Sequence, residues 1–319
     1  MNLIEPARGR LSVGWIAPAL LCAAVLVSGC AERPIAPAKD LTPLPHPVRL
    51  LLTFDDGPST AHGFNPTGAI LDQLAANPVQ PRIKALFFIQ TRVAGKAGAG
   101  IGLALLRRMR TEGHVLGFHS STARGHIGHP DLPPDEFEQS LADGIGDIRA
   151  IQGTAPRMVR PPFWLYDQGT LAAYRRRGLH MLLTDINARD GKIIGWNISL
   201  GRRGHFRRGL ADVRDDILNG RMPLVAGVYP VVVTFHDTNT FTARRMQEYL
   251  SILLEESARV GLTLARKPFY DQTAEIEAAA FARRENGGPD GEQGSEDRGK
   301  TTRPGNAEAG PAQASGAGQ

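Results

Sequence analysis

Cysteine is nearly absent: the 319 residues hold two, Cys22 and Cys30, eight positions apart near the N-terminus. A disulfide-stapled scaffold is therefore excluded. Aromatic residues are also sparse, at 6%. The arginine clusters at 175–177 and 202–208 do not form the aromatic-interleaved basic stripe that nucleic-acid binding uses, so no nucleic-acid partner is expected. No internal repeat is visible. Hydrophobic residues at 42% and charged residues at 22% are ordinary for a globular protein, which sets aside collagen-like, coiled-coil and polytopic membrane chains. The formal charge of +5 is an average, with residues 1–270 carrying +9 and residues 271–319 carrying −4. Contact with acidic envelope material would use that asymmetry, but ordinary solubility charge is the preferred explanation.

Arg8 and Arg10 precede an uncharged stretch from Leu11 to Val27, the layout of an export signal and short for a stable membrane span. It ends in Val27-Ser28-Gly29-Cys30, which resembles a bacterial lipobox, cut before a cysteine that then carries lipid. Residues 1–29 are thus expected to be a lipoprotein signal peptide, with Cys30 the lipidation site and the membrane a partner through that anchor. Ala31 after the cysteine hints at the outer membrane, facing the periplasm. Cys22 would leave with the signal, so any metal centre in the exported chain must be built from His, Asp and Glu. Residues 30–47, rich in proline, read as an extended tether. Residues 271–319 are dominated by Gly, Ala, Glu and Pro and read as a disordered tail.

Between them, residues 48–270 read as one domain. Apolar runs predict strands at 48–54, 85–90, 115–119, 158–160, 180–185 and 230–236. Helical patterns fall at 68–76, 101–112, 134–152, 168–177, 210–218 and 243–260. This alternation predicts an α/β fold with parallel strands. Asp55, Asp56, His119, Arg160 and His236 stand at the C-terminal ends of those strands, the rim where α/β barrels collect active sites. Adjacent carboxylates on a strand end point to different sides, so Asp55 and Asp56 can hold different tasks, one binding a metal while the other takes a proton. Taken alone, Asp55-Asp56-Gly57-Pro58 would be an Asp-capped turn.

Five segments occur together and in order: Thr53-Phe54-Asp55-Asp56-Gly57-Pro58; Gly113-His114 to His119-Ser120 with His129-Pro130-Asp131-Leu132; Arg160-Pro161-Pro162-Phe163; Asp185 to Asp190; and Thr234-Phe235-His236-Asp237. The set resembles the polysaccharide deacetylases of carbohydrate esterase family 4, the NodB-type domain. The resemblance implies a distorted, incomplete (β/α) barrel and a metal-dependent hydrolase acting on an acetylated polysaccharide. It implies Asp55 as general base, Arg160 holding Asp55, His236 as general acid and Asp190 tuning His236. Asp56 and His119 would ligate a divalent metal, most simply Zn²⁺. Phe163 and Trp164 would bind substrate, the Phe163 amide helping to form an oxyanion site.

Three positions depart from the family pattern. Ala123 stands where a second metal-binding histidine is expected. His126 and His129 follow, and the His129-Pro130-Asp131-Leu132 spacing favours His129 as third ligand across a six-residue insertion. Gly191-Lys192, with Trp196 further on, replaces an expected aromatic, and Thr234 replaces an expected leucine, both read as touching the acetyl pocket. His62 and His114 read as surface or core residues. The expected function is removal of N-acetyl groups from an N-acetylglucosamine polymer, peptidoglycan or exopolysaccharide, in the cell envelope. The alternatives are polysaccharide O-acetyl ester hydrolysis and a weakened glycan-binding lipoprotein on the same fold.

Overall fold

The structure, a computed structural model, describes residues 42–92, 100–190 and 201–284. The signal segment, Cys30, residues 31–41, Gly191, Lys192, Trp196 and residues 285–319 lie outside the described residues.

Eight parallel strands form one curled sheet: β1 (Val48–Asp55), β2 (Leu86–Gln90), β3 (Val115–Ser120), β4 (Met158–Val159), β5 (His180–Met181), β6 (Ile186–Asn187), β7 (Tyr229–His236) and β8 (Leu264–Phe269). The order across the sheet is β5-β4-β3-β2-β1-β7-β6, with β8 beside the start of β1. The two edge strands are neighbours in sequence, since the chain passes directly from Met181 to Ile186. That link can span at most about 18 Å, so the sheet has to curl until its edges nearly meet. The result is the incomplete barrel that the motif order implied.

Helices α1 (Pro66–Ala75), α2 (Gly100–Thr111), α3 (Pro134–Gln152), α4 (Gln168–Arg176), α5 (Arg202–Leu218) and α6 (Thr240–Arg259) alternate with the strands. Local chemistry sets their ends. Asp167 and Thr170 form a reciprocal capping box on α4, and Gly153, at φ 88, ends α3 in a left-handed turn that few other residues accept. On α3, Phe137, Leu141, Ile145 and Ile148 recur at helical spacing and are buried. Gly144 on the same face admits Phe118 of β3, where an added Cβ would meet the ring at 2.2 Å. Phe54 stacks on Phe87 at 4.9 Å and on Phe235 at 5.8 Å, so the outer faces of β1, β2 and β7 share one apolar layer with the helices. Burying such a ring stabilises by about 1.5–3 kcal/mol.

The inner face explains how the rim is built. On β1 the residues alternating with that outer set are Arg49, Leu51, Thr53 and Asp55, and register pairs the last three with Val232, Thr234 and His236 of β7. The barrel interior therefore changes from apolar, through a hydroxyl layer, to charged groups at the C-terminal rim.

The domain does not end at residue 270 as expected. Residues Thr273–Ala282 form a further helix, α7, whose Ile276, Ala279 and Ala280 pack with Leu51, Phe88, Met158, Leu182 and Val232 inside the barrel. Arg283 pairs with Asp185, and Arg49 pairs with Asp271 and Glu275, both at 2.7 Å. The polar average over 271–319 masked a short apolar face large enough to close the barrel's lower end. Among the described residues no helix is long and apolar enough to cross a membrane.

Candidate metal centre and active site

Asp55 ends β1 pointing into the barrel and is 1% exposed. Its Oδ1 accepts from Arg160 Nη1 at 2.9 Å, while its Oδ2 is buried and takes no hydrogen bond among the described residues. Arg160, fully buried, also donates to Thr53 Oγ1 at 2.7 Å and to the carbonyls of Leu182 and Leu183 at 3.0 and 3.2 Å. Its guanidinium lies 4.3 Å over the Phe88 ring. One cation thus anchors Asp55 and bridges the link between β5 and β6. Asp56 follows with φ 73, a left-handed conformation that turns its carboxylate away from that of Asp55. Asp237 supports the turn. Its buried carboxylate accepts from Thr67 Oγ1 at 2.8 Å and lies so close to Gly57 that an added Cβ would meet it at 2.1 Å.

His119 reaches Asp56 because β3 carries a bulge. Ile89 pairs with Phe118 and Gln90 with Ser120, leaving His119 unopposed. His119 Nδ1 lies 2.7 Å from the Arg160 carbonyl, which can only accept, so Nδ1 donates there and Nε2 is the ring nitrogen left facing Asp56 and His126. That Nε2 is 3.3 Å from Asp56 Oδ1 and 3.0 Å from His126 Nε2, and His126 Nε2 is itself 3.3 Å from Asp56 Oδ1. Three ligand atoms within 4.8 Å of one another are the one such group found among the described residues.

The donor set suits a divalent cation of the zinc type: two imidazole nitrogens and a carboxylate oxygen, a set that leaves a fourth position open. The electrostatics agree. Burial pushes the Asp56 carboxyl up, but the hydrogen bond and charge of His119 and the charges of His126 and His236 outweigh it and hold it far below the usual range. Burial first and His119 second pull His126 down to about 4, which keeps its imidazole neutral. Both are the forms that bind metal.

The third member is His126, not His129. His129 is buried in the layer behind, its Nδ1 at 2.5 Å from Tyr174 Oη, its ring stacked on Phe118 at 5.8 Å and tilted against Phe137 at 5.2 Å. Burial drags it down to about 3. The inserted residues, with Gly125 at φ 99, fold the loop back so that His126 meets His119 and Asp56.

Opposite, His236 Nδ1 lies 2.7 Å from Asp190 Oδ1, and the His236 backbone N–H donates to Asp190 Oδ2 at 2.9 Å. Thr242 Oγ1 donates to the same Oδ2 at 2.6 Å, and Asn239 holds the Asp190 carbonyl. Burial alone would lower His236, but the charge and hydrogen bond of Asp190, with Asp55 and Asp56 behind it, push it up to about 10. The protonated His236 imidazole and the Asp55 side chain, register partners on one rim, are the pair of groups needed for acid–base chemistry.

Residues 45–182 match the family described as polysaccharide deacetylase. A chitin deacetylase of Colletotrichum lindemuthianum is 30% identical over 184 residues, covering 56% of this chain and 66% of the relative. A peptidoglycan-N-acetylglucosamine deacetylase of Bacillus cereus is 33% identical over 119 residues, 36% of each chain. Over this region the chain is similar to the polysaccharide deacetylases. The solved Colletotrichum chitin deacetylase shares its fold, with a TM-score of 0.50 and 23% identity over 70% of this chain and 88% of that one. The chain spans less than two thirds of the length of the curated relatives it matches.

Within the barrel the remaining expected residues take these places. Phe163 and Trp164 stand in left-handed backbone, φ 54 and 61, in the short turn Pro162–Trp164. Such non-glycine conformations cost about 1–3 kcal/mol and cluster at functional sites. The Phe163 ring, 60% exposed, lies 4.2 Å from His126, while the turn is closed by the amides of Trp164 and Leu165 rather than its own. Thr234 is fully buried one layer beneath Asp55 and His236, its Oγ1 2.9 Å from Thr53 Oγ1. Its hydroxyl joins the network under Arg160 rather than an acetyl pocket, which corrects the expectation for that position. His114 is a core residue whose Nδ1 accepts from the Ala85 N–H at 3.0 Å, and His62 is exposed.

Proposed function

We propose that the chain is a metal-dependent hydrolase removing N-acetyl groups from an N-acetylglucosamine-containing polysaccharide. The observation that supports this best is the convergence of Asp56, His119 and His126, flanked by Arg160-held Asp55 and Asp190-held His236. Asp56 Oδ1, His119 Nε2 and His126 Nε2 would hold a divalent cation such as Zn²⁺, which would supply Lewis-acid polarisation of the acyl carbonyl and of water.

The chain's own residues supply the proton transfers. Asp55 takes a proton from the attacking water, with Arg160 holding and aiming its carboxylate through Oδ1. Water oxygen bonds to the acetyl carbon, and the Phe163 N–H donates to the resulting oxyanion. His236 has Nδ1 committed to Asp190, so Nε2–H is the proton it delivers to the nitrogen as the C–N bond breaks. Acetate and a free amine result. The weakened, glycan-binding reading rested on Ala123, and His126 in the triad counts against it.

Relatives acting on chitin and peptidoglycan support the substrate class. The export signal and Cys30 support a lipid-anchored position in the bacterial envelope. Incubating the purified protein with N-acetylglucosamine oligomers should release acetate, and chelator should stop it. Metal-free protein that binds the oligomers without releasing acetate would reject the enzyme reading. Cys30→Ser should abolish fatty-acid labelling, and persistent labelling would reject the anchor.

A further inference from the structure

β2 ends on a buried polar residue that the motifs do not explain. Gln90 is 4% exposed, and its Nε2 donates to Asp56 Oδ1 at 2.6 Å. That is the oxygen lying 3.3 Å from both His119 Nε2 and His126 Nε2. A carboxylate oxygen only accepts, so the carboxamide must present nitrogen there. The same residue grips the turn a second time, because the Gln90 backbone N–H donates to the Gly57 carbonyl at 2.9 Å. The turn needs holding: Asp56 sits at φ 73, a conformation that costs a non-glycine residue about 1–2 kcal/mol. Gln90 follows Phe88 by two residues on β2, and Phe88 is the register partner of Asp55 and faces the barrel interior, so the carboxamide stands on the face and at the level of the Asp55-Asp56 turn.

We propose that Gln90 is a positioning residue of the metal centre, fixing which Asp56 oxygen faces the two imidazoles and thereby tightening divalent-cation binding. The role is mechanically simple. Without the donor, Asp56 Oδ1 loses one of the contacts that orient it, and ordering the carboxylate must then draw more on the metal-binding free energy. The carboxamide is neutral, so it orders the site without adding or removing charge. The inference rests on Asp56, His119 and His126 being the ligands.

The test uses full-length protein stripped with chelator and titrated calorimetrically with Zn²⁺ and Co²⁺, with the visible Co²⁺ spectrum as a second readout. Gln90→Leu and Gln90→Met keep the side chain's bulk and remove the donor. Both should weaken binding by about 10–100-fold and alter the Co²⁺ bands, with the melting temperature of the metal-free protein close to wild type. Wild-type affinity and spectrum in both variants would overturn the role of Gln90 alone. Failure of both variants to fold would also overturn it, assigning Gln90 to the core. A wild-type protein that takes up neither metal would instead bring down the metal-centre reading.

Discussion

Replacing Asp190 by Asn removes the charge that keeps His236 an imidazolium while leaving a side chain of the same shape beside Nδ1. In the native pair, burial lowers His236, yet the Asp190 charge and the 2.7 Å hydrogen bond carry it to about 10 from an ordinary 6.5. That rise corresponds to about 5 kcal/mol in favour of the protonated form. With Asn, burial stays and the main opposing cause is gone, so His236 should fall to its ordinary value or below. At pH 8 the protonated fraction would then drop from nearly complete to about 3%, costing about 30-fold in kcat/KM, with much of the loss recovered near pH 6. A pH–rate profile of both proteins on acetylated oligomers measures this, and the alkaline limb should move down by at least two pH units in the variant. The stability sign follows from the same shift. The folded pKa lies above the unfolded one, so the pair stabilises fully below about pH 6.5 and loses its contribution as pH rises through about 10. Asp190→Asn should therefore flatten the fall in melting temperature between pH 6 and pH 10. An alkaline limb left in place, or an equal loss of rate at every pH, would refute His236 as the protonated acid tuned by Asp190.

Asp55→Asn should bind metal as wild type does but lose turnover by about 10²–10⁴-fold, read from metal content and acetate release on one preparation; full turnover would remove Asp55 from the base role. Truncation after residue 270 should expose Leu51, Phe88 and Val232 at the barrel's lower end and cost about 3 kcal/mol or more, whereas a stop after residue 284 should melt like the full chain. Equal melting of the two truncations would show that α7 does not close the core.

Much of this was legible in the sequence because parallel strands covered on both faces read as continuous apolar runs, as in Leu50-Leu51-Leu52. The charged strand ends stood out against them, and Asp55, Arg160, Asp190 and His236 came together as the motif order implied. Four things stayed hidden, each for a physical reason. Ile186–Asn187 is too short to show a period, and Leu264–Phe269 carries exposed Arg266 and Lys267 in its middle. α7 holds its apolar residues in a segment whose average is polar. His126 lost to His129 because spacing to a His-Pro pair says nothing about where an inserted loop folds back. The seven-residue separation of His119 and His126, next to a glycine, was the available signal.

Metal content of three purified full-length proteins, wild type, His126→Ala and His129→Ala, tests the centre most directly. Wild type should hold about one divalent ion per chain, His126→Ala should lose it and His129→Ala should retain it. Loss in His129→Ala with retention in His126→Ala would contradict this.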